Sequence, residues 1–354
     1  MVIGNNGMIP PLTRRHLLAG MAATGTLASV SVARAQPAFS APAALVEAAR
    51  KEGKFVIYTA NFAEVIGEVI KAFNKRFPFI RGEMIRAPGG QLFTRVQTEA
   101  SSGKLTADVV DHTDRGLMVG IADLFQDYAP PNAADFLPSA LVSPKFWPTA
   151  APGWCIAWHT ELMKNPPKTW MDLTKPEYGP GHIGVVVGPS GGTAWTFSMF
   201  QRQVLGEDYW TRQAATKPRL FPSGAPQADA LVRGEISIAA ALYSIIFPKK
   251  RDGAPVESLF PPEGVPITPH AAGIPKTAAN PNAAKLFLDW FLSPEGQAVM
   301  IRDQGSMSAL KEWPATLPGF DPKVNKVWLP EFKQYQDLNK PWLEEWNRVY
   351  GYRQ

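Results

Sequence analysis

The chain is poor in cysteine, since Cys155 is the only one in 354 residues. A disulfide framework within the chain is therefore excluded, and so is a lipid anchor on an N-terminal cysteine. The excess of basic over acidic residues is small, and no apolar run reaches the roughly 20 residues that a membrane span needs. With 45% apolar and 19% charged residues, the composition is that of a globular protein stabilised by core packing.

Acidic residues are absent from the first 35 positions. Arg14 and Arg15 precede a modest run from Leu17 to Val32, rich in Gly, Ala, Ser and Thr, which ends at Ala33-Arg34-Ala35. Paired arginines, a modest apolar run and an A-x-A site are typical of a twin-arginine secretory signal. We predict cleavage after Ala35 and a periplasmic mature chain with no stable membrane insertion. The alternative, a membrane anchor, would need a longer apolar run.

Removal of this signal changes the charge and sets the length of the mature chain. Arg14, Arg15 and Arg34 leave with it, so 36 basic residues become 33 against 31 acidic ones, a net charge of about +2. A nucleic-acid binder would need several Lys and Arg on one face, so that class is disfavoured. The remaining length, residues 36–354, is typical of two domains.

Apolar patterning alternates between short strands and amphipathic helices in the first third of the mature chain. The predicted elements are a strand at 55–58, a helix at 64–77, a strand at 83–87, a helix at 91–102 and a strand at 107–110. This βαβαβ order predicts a parallel sheet. The loops that follow its strands, at 59–63, 87–90 and 111–115, should converge, because ligands bind beyond the carboxyl ends of such strands.

A second α/β region is predicted after a proline-rich stretch. Its elements are strands at 154–158, 182–187 and 236–242, with helices at 194–205 and 226–233. A return strand at 268–274 and a helix at 281–291 follow. The glycine-rich segment Gly188 to Thr193 lies between a strand and a helix, which is an arrangement suited to anions.

Several segments resemble the bacterial extracellular solute-binding proteins that supply ABC importers, in the family with iron(III)-, thiamine-, polyamine- and phosphonate-binding members. They are 106–110, 167–173, 234–238 and, most specifically, 279–297. The resemblance implies an α/β fold of the two-lobed type II periplasmic-binding-protein kind, with two hinge crossings and the ligand in the interlobe cleft. It also implies a membrane permease as partner.

The expected boundaries follow from this resemblance. The signal peptide would occupy 1–35, lobe 1 would comprise 36–154 plus 270–354, and lobe 2 would comprise 155–269. The crossings are expected near 154–158 and 265–272. Trp342 and Trp346 lie four residues apart, and we expect this helical pair to pack against the first lobe.

Candidate ligand-binding residues of lobe 1 follow its predicted strands. Tyr58, Thr59 and Asn61 end the first strand, where their alternative role is hydrogen bonding within a turn. Arg86 ends the second strand, where a guanidinium suits an oxyanion, with a surface salt bridge as the alternative. In the third loop, the resemblance implies a ligand contact, for which Thr113 and Asp114 are the candidates.

Lobe 2 contributes Ser190, Gly191, Gly192, Thr193 and Tyr243. Backbone N–H groups and two hydroxyls suit a phosphate or carboxylate, whereas an ordinary capped turn is the alternative. Iron-binding members of the family use two adjacent tyrosines, but this chain has Tyr243-Ser244. The departure argues against iron, and we predict neither a metal nor a cofactor. Tyr243 would instead contact an organic ligand.

A secreted serine hydrolase is the alternative from another class. Gly188 to Gly192 satisfies G-x-S-x-G around Ser190, and His270 lies downstream. The family resemblance favours a binding protein that is not an enzyme. We expect a monomer that captures a small organic anion, namely a phosphonate, phosphate ester or carboxylate, by hinge closure. Iron(III) and polyamine or thiamine remain alternative cargoes, and we expect Arg86→Ala and Tyr243→Phe to weaken binding.

Overall fold

The computed structural model describes residues 38–321 and 323–353. The described residues belong to one compact unit. The predicted signal peptide and its cleavage site lie outside the described residues.

Strands and helices alternate through the described part of the chain. The strands are β1 Lys54–Thr59, β2 Arg81–Arg86, β3 Val109–His112, β4 Trp154–His159, β5 Ile183–Val186, β6 Arg219–Phe221, β7 Ile238–Leu242, β8 Val256–Leu259, β9 Val265–Pro266, β10 Ala271–Gly273 and β11 Val327–Trp328. The helices are α1 Ala43–Glu52, α2 Ala63–Arg76, α3 Gly89–Ser101, α4 Arg115–Gly120, α5 Gly192–Val204, α6 Tyr209–Ala215, α7 Gly224–Val232, α8 Tyr243–Arg251, α9 Pro281–Leu292, α10 Pro294–Gln304, α11 Phe332–Asp337 and α12 Asn339–Tyr350.

The first sheet has the strand order β10-β3-β1-β2. Strands β1, β2 and β3 run parallel, with Ile57 opposite Met84 on one side and Val109 on the other. The predicted βαβαβ unit is therefore confirmed. Phe55, Ile57 and Tyr58 of β1 are all buried, although neighbouring residues point to opposite faces of the sheet. This is expected because a central strand of a parallel sheet is covered on both faces. Strand β10 joins this sheet antiparallel, at its edge beside β3.

The second sheet has the strand order β6-β5-β7-β4-β8 and mixes parallel with antiparallel pairs. Its centre is apolar throughout, since every residue of β7 is buried. Strands β6 and β8 are absent from the sequence prediction, because three or four residues with partly exposed side chains leave a weak apolar pattern.

Two antiparallel stretches of chain, which we call the ribbon, connect the sheets. Residues 147–153 pair with residues 267–272 through the bridges Trp147 to Ala272 and Gly153 to Ile267. The nitrogen of His270 donates to the carbonyl of Ala150 at 2.8 Å. The residues expected as the first crossing form β4 of the second sheet, and the ribbon lies immediately before them.

The C-terminal helix departs from the sequence prediction. Trp342 of α12 meets Trp195 of α5 and Trp210 of α6 edge-on, and Arg202 of α5 forms an ion pair with Glu345. The expectation that this helix packs on the first lobe is therefore wrong. The reason is that α5 and α6 present an aromatic surface that the apolar face of α12 covers.

No helix in the described ranges is both long enough and apolar enough to cross a lipid bilayer.

Candidate ligand-binding cleft

A cleft lies where loops of the first sheet meet loops of the second. Asn61, Arg86 and Thr113 line it from the first sheet, and Ser190 and Thr193 line it from the second. A volume of about 80 Å³ is open to the centres of water-sized molecules. One buried water needs about 10–15 Å³ on this measure, so several waters or a small solute fit. The three loops predicted to converge after β1, β2 and β3 do so here.

Helix N-termini surround the cleft. The residues at the N-cap positions of five helices all line it. They are Phe62 for α2, Pro88 for α3, Gly191 for α5, Ser223 for α7 and Leu242 for α8. No side chain caps any of these five helices. The first N–H groups of a helix lack intrahelical partners and carry partial positive charge. The nitrogen of Tyr243 at the start of α8 already donates to the carbonyl of Gly153 at 2.9 Å, but the lack of side-chain caps leaves the partial positive charge of the five termini available to an anion.

The side chains of the cleft add positive rather than negative charge. Arg86 lines it, and the Nε of this side chain donates a 3.3 Å hydrogen bond to the carbonyl of Asn61. Among the described residues that line the cleft there is no Asp or Glu. The buried carboxylate of Asp111, 4.0 Å from Nδ1 of His270 in the cleft wall, accepts hydrogen bonds from Thr59 at 2.8 Å and Thr149 at 2.6 Å. A cationic solute would find no carboxylate in this wall.

The loops of the two sheets approach each other closely beside the cleft. A Cβ placed on Gly192 would lie 2.3 Å from the carbonyl oxygen of Thr113 and 2.8 Å from the Cα of Asp114. One placed on Gly191 would lie 3.8 Å from the Thr113 hydroxyl. Only glycine at 192 lets the start of α5 pack this tightly against the loop after β3.

Six of the candidate residues from the sequence line the cleft, namely Asn61, Arg86, Thr113, Ser190, Gly191 and Thr193. Gly192 lies beside it, at the contact just described. The remaining four lie elsewhere.

Two of these four, Tyr58 and Thr59, are turned away into the first sheet's packing. The Tyr58 hydroxyl donates to Glu99 at 2.8 Å and shares a 2.8 Å hydrogen bond with Thr106. Thr59 donates to the Asp111 carboxylate and accepts a 3.0 Å hydrogen bond from the backbone of Asn61. Both side chains thus shape the loop that carries Asn61.

Asp114 and Tyr243 also have structural partners. Asp114 caps α4, and its Oδ1 accepts hydrogen bonds from the nitrogens of Gly116 at 2.9 Å and Leu117 at 3.2 Å. The Tyr243 hydroxyl donates to the carbonyl of Pro318 at 2.7 Å, and burial raises the pKa of this phenol. Neither residue lines the cleft.

Comparison with known proteins agrees with this architecture. A family model described as "Bacterial extracellular solute-binding protein" matches residues 59–298. The chain belongs to this family. Its fold is the two-lobed α/β fold of the periplasmic binding proteins, with the cleft between the lobes.

Individual relatives of this solute-binding protein cover most of its length. An uncharacterised protein of Haemophilus influenzae is 26% identical over 337 residues, which are 90% of this chain and 96% of that protein. The periplasmic binding protein AfuA from Actinobacillus pleuropneumoniae, solved with fructose-6-phosphate bound, is 25% identical with a TM-score of 0.72. The match covers 85% of this chain and all of AfuA. Iron-bound HitA from Pseudomonas aeruginosa is 20% identical with a TM-score of 0.67, over 84% and 99% of the two chains, and shows similarity of fold.

The solute-binding protein's cleft also contains residues that the sequence analysis did not name as ligand-binding. Ser223 and Gly224 enter it because they follow β6, a three-residue strand that the apolar pattern did not reveal. His270 enters it from the ribbon. A signal for the first pair existed, since Ser-Gly before a helical pattern is typical of a helix start. The position of His270 depends on strand pairing that no local pattern encodes.

The G-x-S-x-G segment is not assembled as a catalytic triad. His270 lines the same cleft as Ser190, yet both of its ring nitrogens lack a hydrogen-bond partner within the described residues. Its Nδ1 lies 4.0 Å from Oδ1 of Asp111, beyond hydrogen-bonding distance. A triad requires both of these hydrogen bonds.

Within the described ranges, His, Cys, Asp and Glu side chains form no group of three or more that could hold a metal ion. Tyr243, the residue compared with the iron-binding tyrosines, donates its hydroxyl proton to Pro318 rather than facing the cleft.

Proposed function

We propose that this chain is the substrate-binding component of an ABC importer and that its cargo is a small organic anion. A phosphate ester, for example a sugar phosphate, is the first choice, ahead of phosphonates and carboxylates. Export by the twin-arginine signal would place the mature protein, a monomer, in the periplasm. There it would close around its ligand and deliver it to the membrane permease.

The observation that carries this proposal is the convergence of five uncapped helix N-termini on a cleft without a carboxylate. Each terminus stabilises a nearby anion by roughly 0.3–1 kcal/mol, so their combined field favours negative charge strongly. Arg86 adds a full positive charge, and Thr113, Ser190 and Thr193 add hydroxyls. The fructose-6-phosphate bound to AfuA, which is 25% identical to this chain, agrees with this choice.

The same observations weigh against the other candidates. A hard trivalent ion such as iron(III) needs anionic oxygen ligands, and the cleft wall supplies none from Asp or Glu. Polyamines and thiamine are cationic and would face the positive ends of five helices. Catalysis at Ser190 would need a base in hydrogen-bond contact, and His270 makes no such contact.

The test is calorimetric titration of the mature chain, from Gln36, with fructose 6-phosphate, inorganic phosphate, phosphonates, carboxylates, spermidine, thiamine and iron(III) citrate. Arg86→Ala should weaken binding of the anionic ligand by about 10- to 150-fold, because a charged hydrogen bond contributes about 1.5–3 kcal/mol. Arg81→Ala is the matched control, since Arg81 lies on the same strand but pairs with Glu83. Binding of only spermidine, thiamine or iron would refute the proposal, as would equal effects of the two variants.

A further inference from the structure

Among the described residues that line the cleft, His270 is the one with buried side-chain polar atoms that lack a hydrogen-bond partner. It lies in the ribbon, one residue before the start of β10, and only 2% of its surface is exposed. Its backbone is fixed by the hydrogen bond to Ala150, so the ring has a defined place in the cleft wall.

The two ring nitrogens of His270 are buried and have no hydrogen-bond partner among the described residues. Buried polar atoms almost always have partners, and leaving one unpaired costs free energy of unfolding. Because the ring lines the cleft, a bound molecule is in position to supply the missing hydrogen bond. Such a residue destabilises the ligand-free protein and stabilises the complex in which its nitrogen is paired.

The surroundings of the ring indicate which nitrogen carries the proton. Nδ1 lies 4.0 Å from the carboxylate of Asp111, and this negative charge favours a proton on the side that faces it. Burial lowers the pKa of His270, and His112 nearby lowers it further, while Asp111 opposes both. The ring is therefore neutral at neutral pH, with Nδ1 protonated and Nε2 an acceptor.

The Nε2 of His270 accepts a hydrogen bond, whereas the helix N-termini, Arg86 and the hydroxyl groups of the cleft can all donate hydrogen bonds to the ligand. Inorganic phosphate keeps one or two P–OH protons at neutral pH, but these lie on the anionic group itself, whereas a hydroxylated organic anion also presents hydroxyl donors away from that group. We propose that His270 accepts a hydrogen bond from a hydroxyl group of the cargo and so selects hydroxylated organic anions over bare ones. This inference rests on the proposed function, because it assigns the part of the same ligand that lies away from the anionic group.

The experiment compares the mature wild-type chain with His270→Phe and His270→Gln. Fructose 6-phosphate is titrated into each by calorimetry, and inorganic phosphate is measured alone and as a competitor. We expect His270→Phe to lower the affinity for fructose 6-phosphate about tenfold and to leave that for inorganic phosphate unchanged. His270→Gln, which keeps an acceptor, should lose less. The melting temperature of ligand-free His270→Phe should equal or exceed that of the wild type, because two unpaired polar atoms are removed.

Each outcome decides the question. If His270→Phe weakens both ligands equally, His270 binds the anionic group and the inference is wrong. If neither affinity changes, or if the ligand-free melting temperature falls, His270 is structural and the inference is again wrong, although the proposed function stands. If the wild-type chain binds no anion of the wider panel, the proposed function fails and takes this inference with it.

Discussion

Polar residues near the strand ends fall into two groups, those whose polar atoms are paired within the fold and those whose polar atoms remain available in the cleft. Thr59 and Asp111 hydrogen bond to each other, and Asp114 caps a helix, so their polar atoms are used within the fold. Arg86 and His270 line the cleft with donors or acceptors to spare. The difference is not visible in residue type, since all five are polar residues near strand ends.

The Tyr243→Phe variant tests this division between paired and available polar atoms. Its hydroxyl donates to Pro318 and lies outside the cleft wall, so the effect of Tyr243→Phe should differ from that expected from the sequence. We predict a loss of about 0.5–1.5 kcal/mol in the free energy of unfolding, the usual contribution of one such hydrogen bond. Affinity for the ligand should be unchanged. Chemical denaturation and calorimetry measure the two quantities, and a large loss of affinity would return Tyr243 to the site.

Asp289 predicts a pH dependence of stability. Burial raises the pKa of this carboxyl to about 6, although the hydrogen bond from Tyr128 lowers it in part. A folded-state pKa above the unfolded value of 3.8 means that the group contributes stability at low pH, which is lost as the pH rises through about 6. The full difference is on the order of 3 kcal/mol.

Asp289→Asn removes this titration but keeps the shape and an acceptor for Tyr128. We therefore expect the free energy of unfolding of the variant to vary less than that of the wild type between pH 4 and 8, and to be equal or higher at pH 8. Urea denaturation at a series of pH values measures both curves. Parallel curves for the two proteins would show that Asp289 does not titrate in this range.

At the scale of elements, the first turn of α5 packs against the loop that follows β3, and this is where the loops of the two sheets meet. Gly192→Ala would bring a methyl group against the backbone of Thr113 and Asp114. Backbone atoms cannot adopt another rotamer to relieve this contact, as a long side chain can. We therefore predict that closure is opposed by about 1–3 kcal/mol and that affinity falls by about 5- to 150-fold.

Gly90→Ala is the control for this variant. Gly90 also lies in the first turn of a helix beside the cleft, but a Cβ there meets nothing within 4 Å. Alanine should favour both helices slightly, so a loss of affinity confined to Gly192→Ala reports the contact rather than the helix. Equal affinities for both variants would mean that α5 and the loop after β3 need not touch in the complex.

At the scale of the whole molecule, two sheets joined by a narrow ribbon are expected to move as bodies about it. The radius of gyration from small-angle X-ray scattering should therefore decrease when the mature chain is saturated with its ligand. Gly192→Ala should show a smaller decrease at the same saturation, because its closed form is strained. An unchanged radius in the wild type would argue against hinge closure.

The sequence by itself determined the local elements and the family. The helices at 63–76 and 281–292 and the strands of the first sheet were predicted from apolar periodicity, because each such pattern reflects which face of its own element is buried. The loops after β1, β2 and β3 followed from parallel pairing, and with them Asn61, Arg86 and Thr113.

Only the tertiary structure decided which helix starts share the cleft. The N-cap residues in the cleft follow strands of both sheets, and no local pattern relates them. They are Phe62, Pro88, Gly191, Ser223 and Leu242. His270 reaches the wall because β10 pairs with β3, about 160 residues earlier in the chain, and α12 covers α5 for a similar reason. Long-range pairing depends on how complete elements bury their faces against one another, and that choice is made by the packed molecule rather than by any single segment.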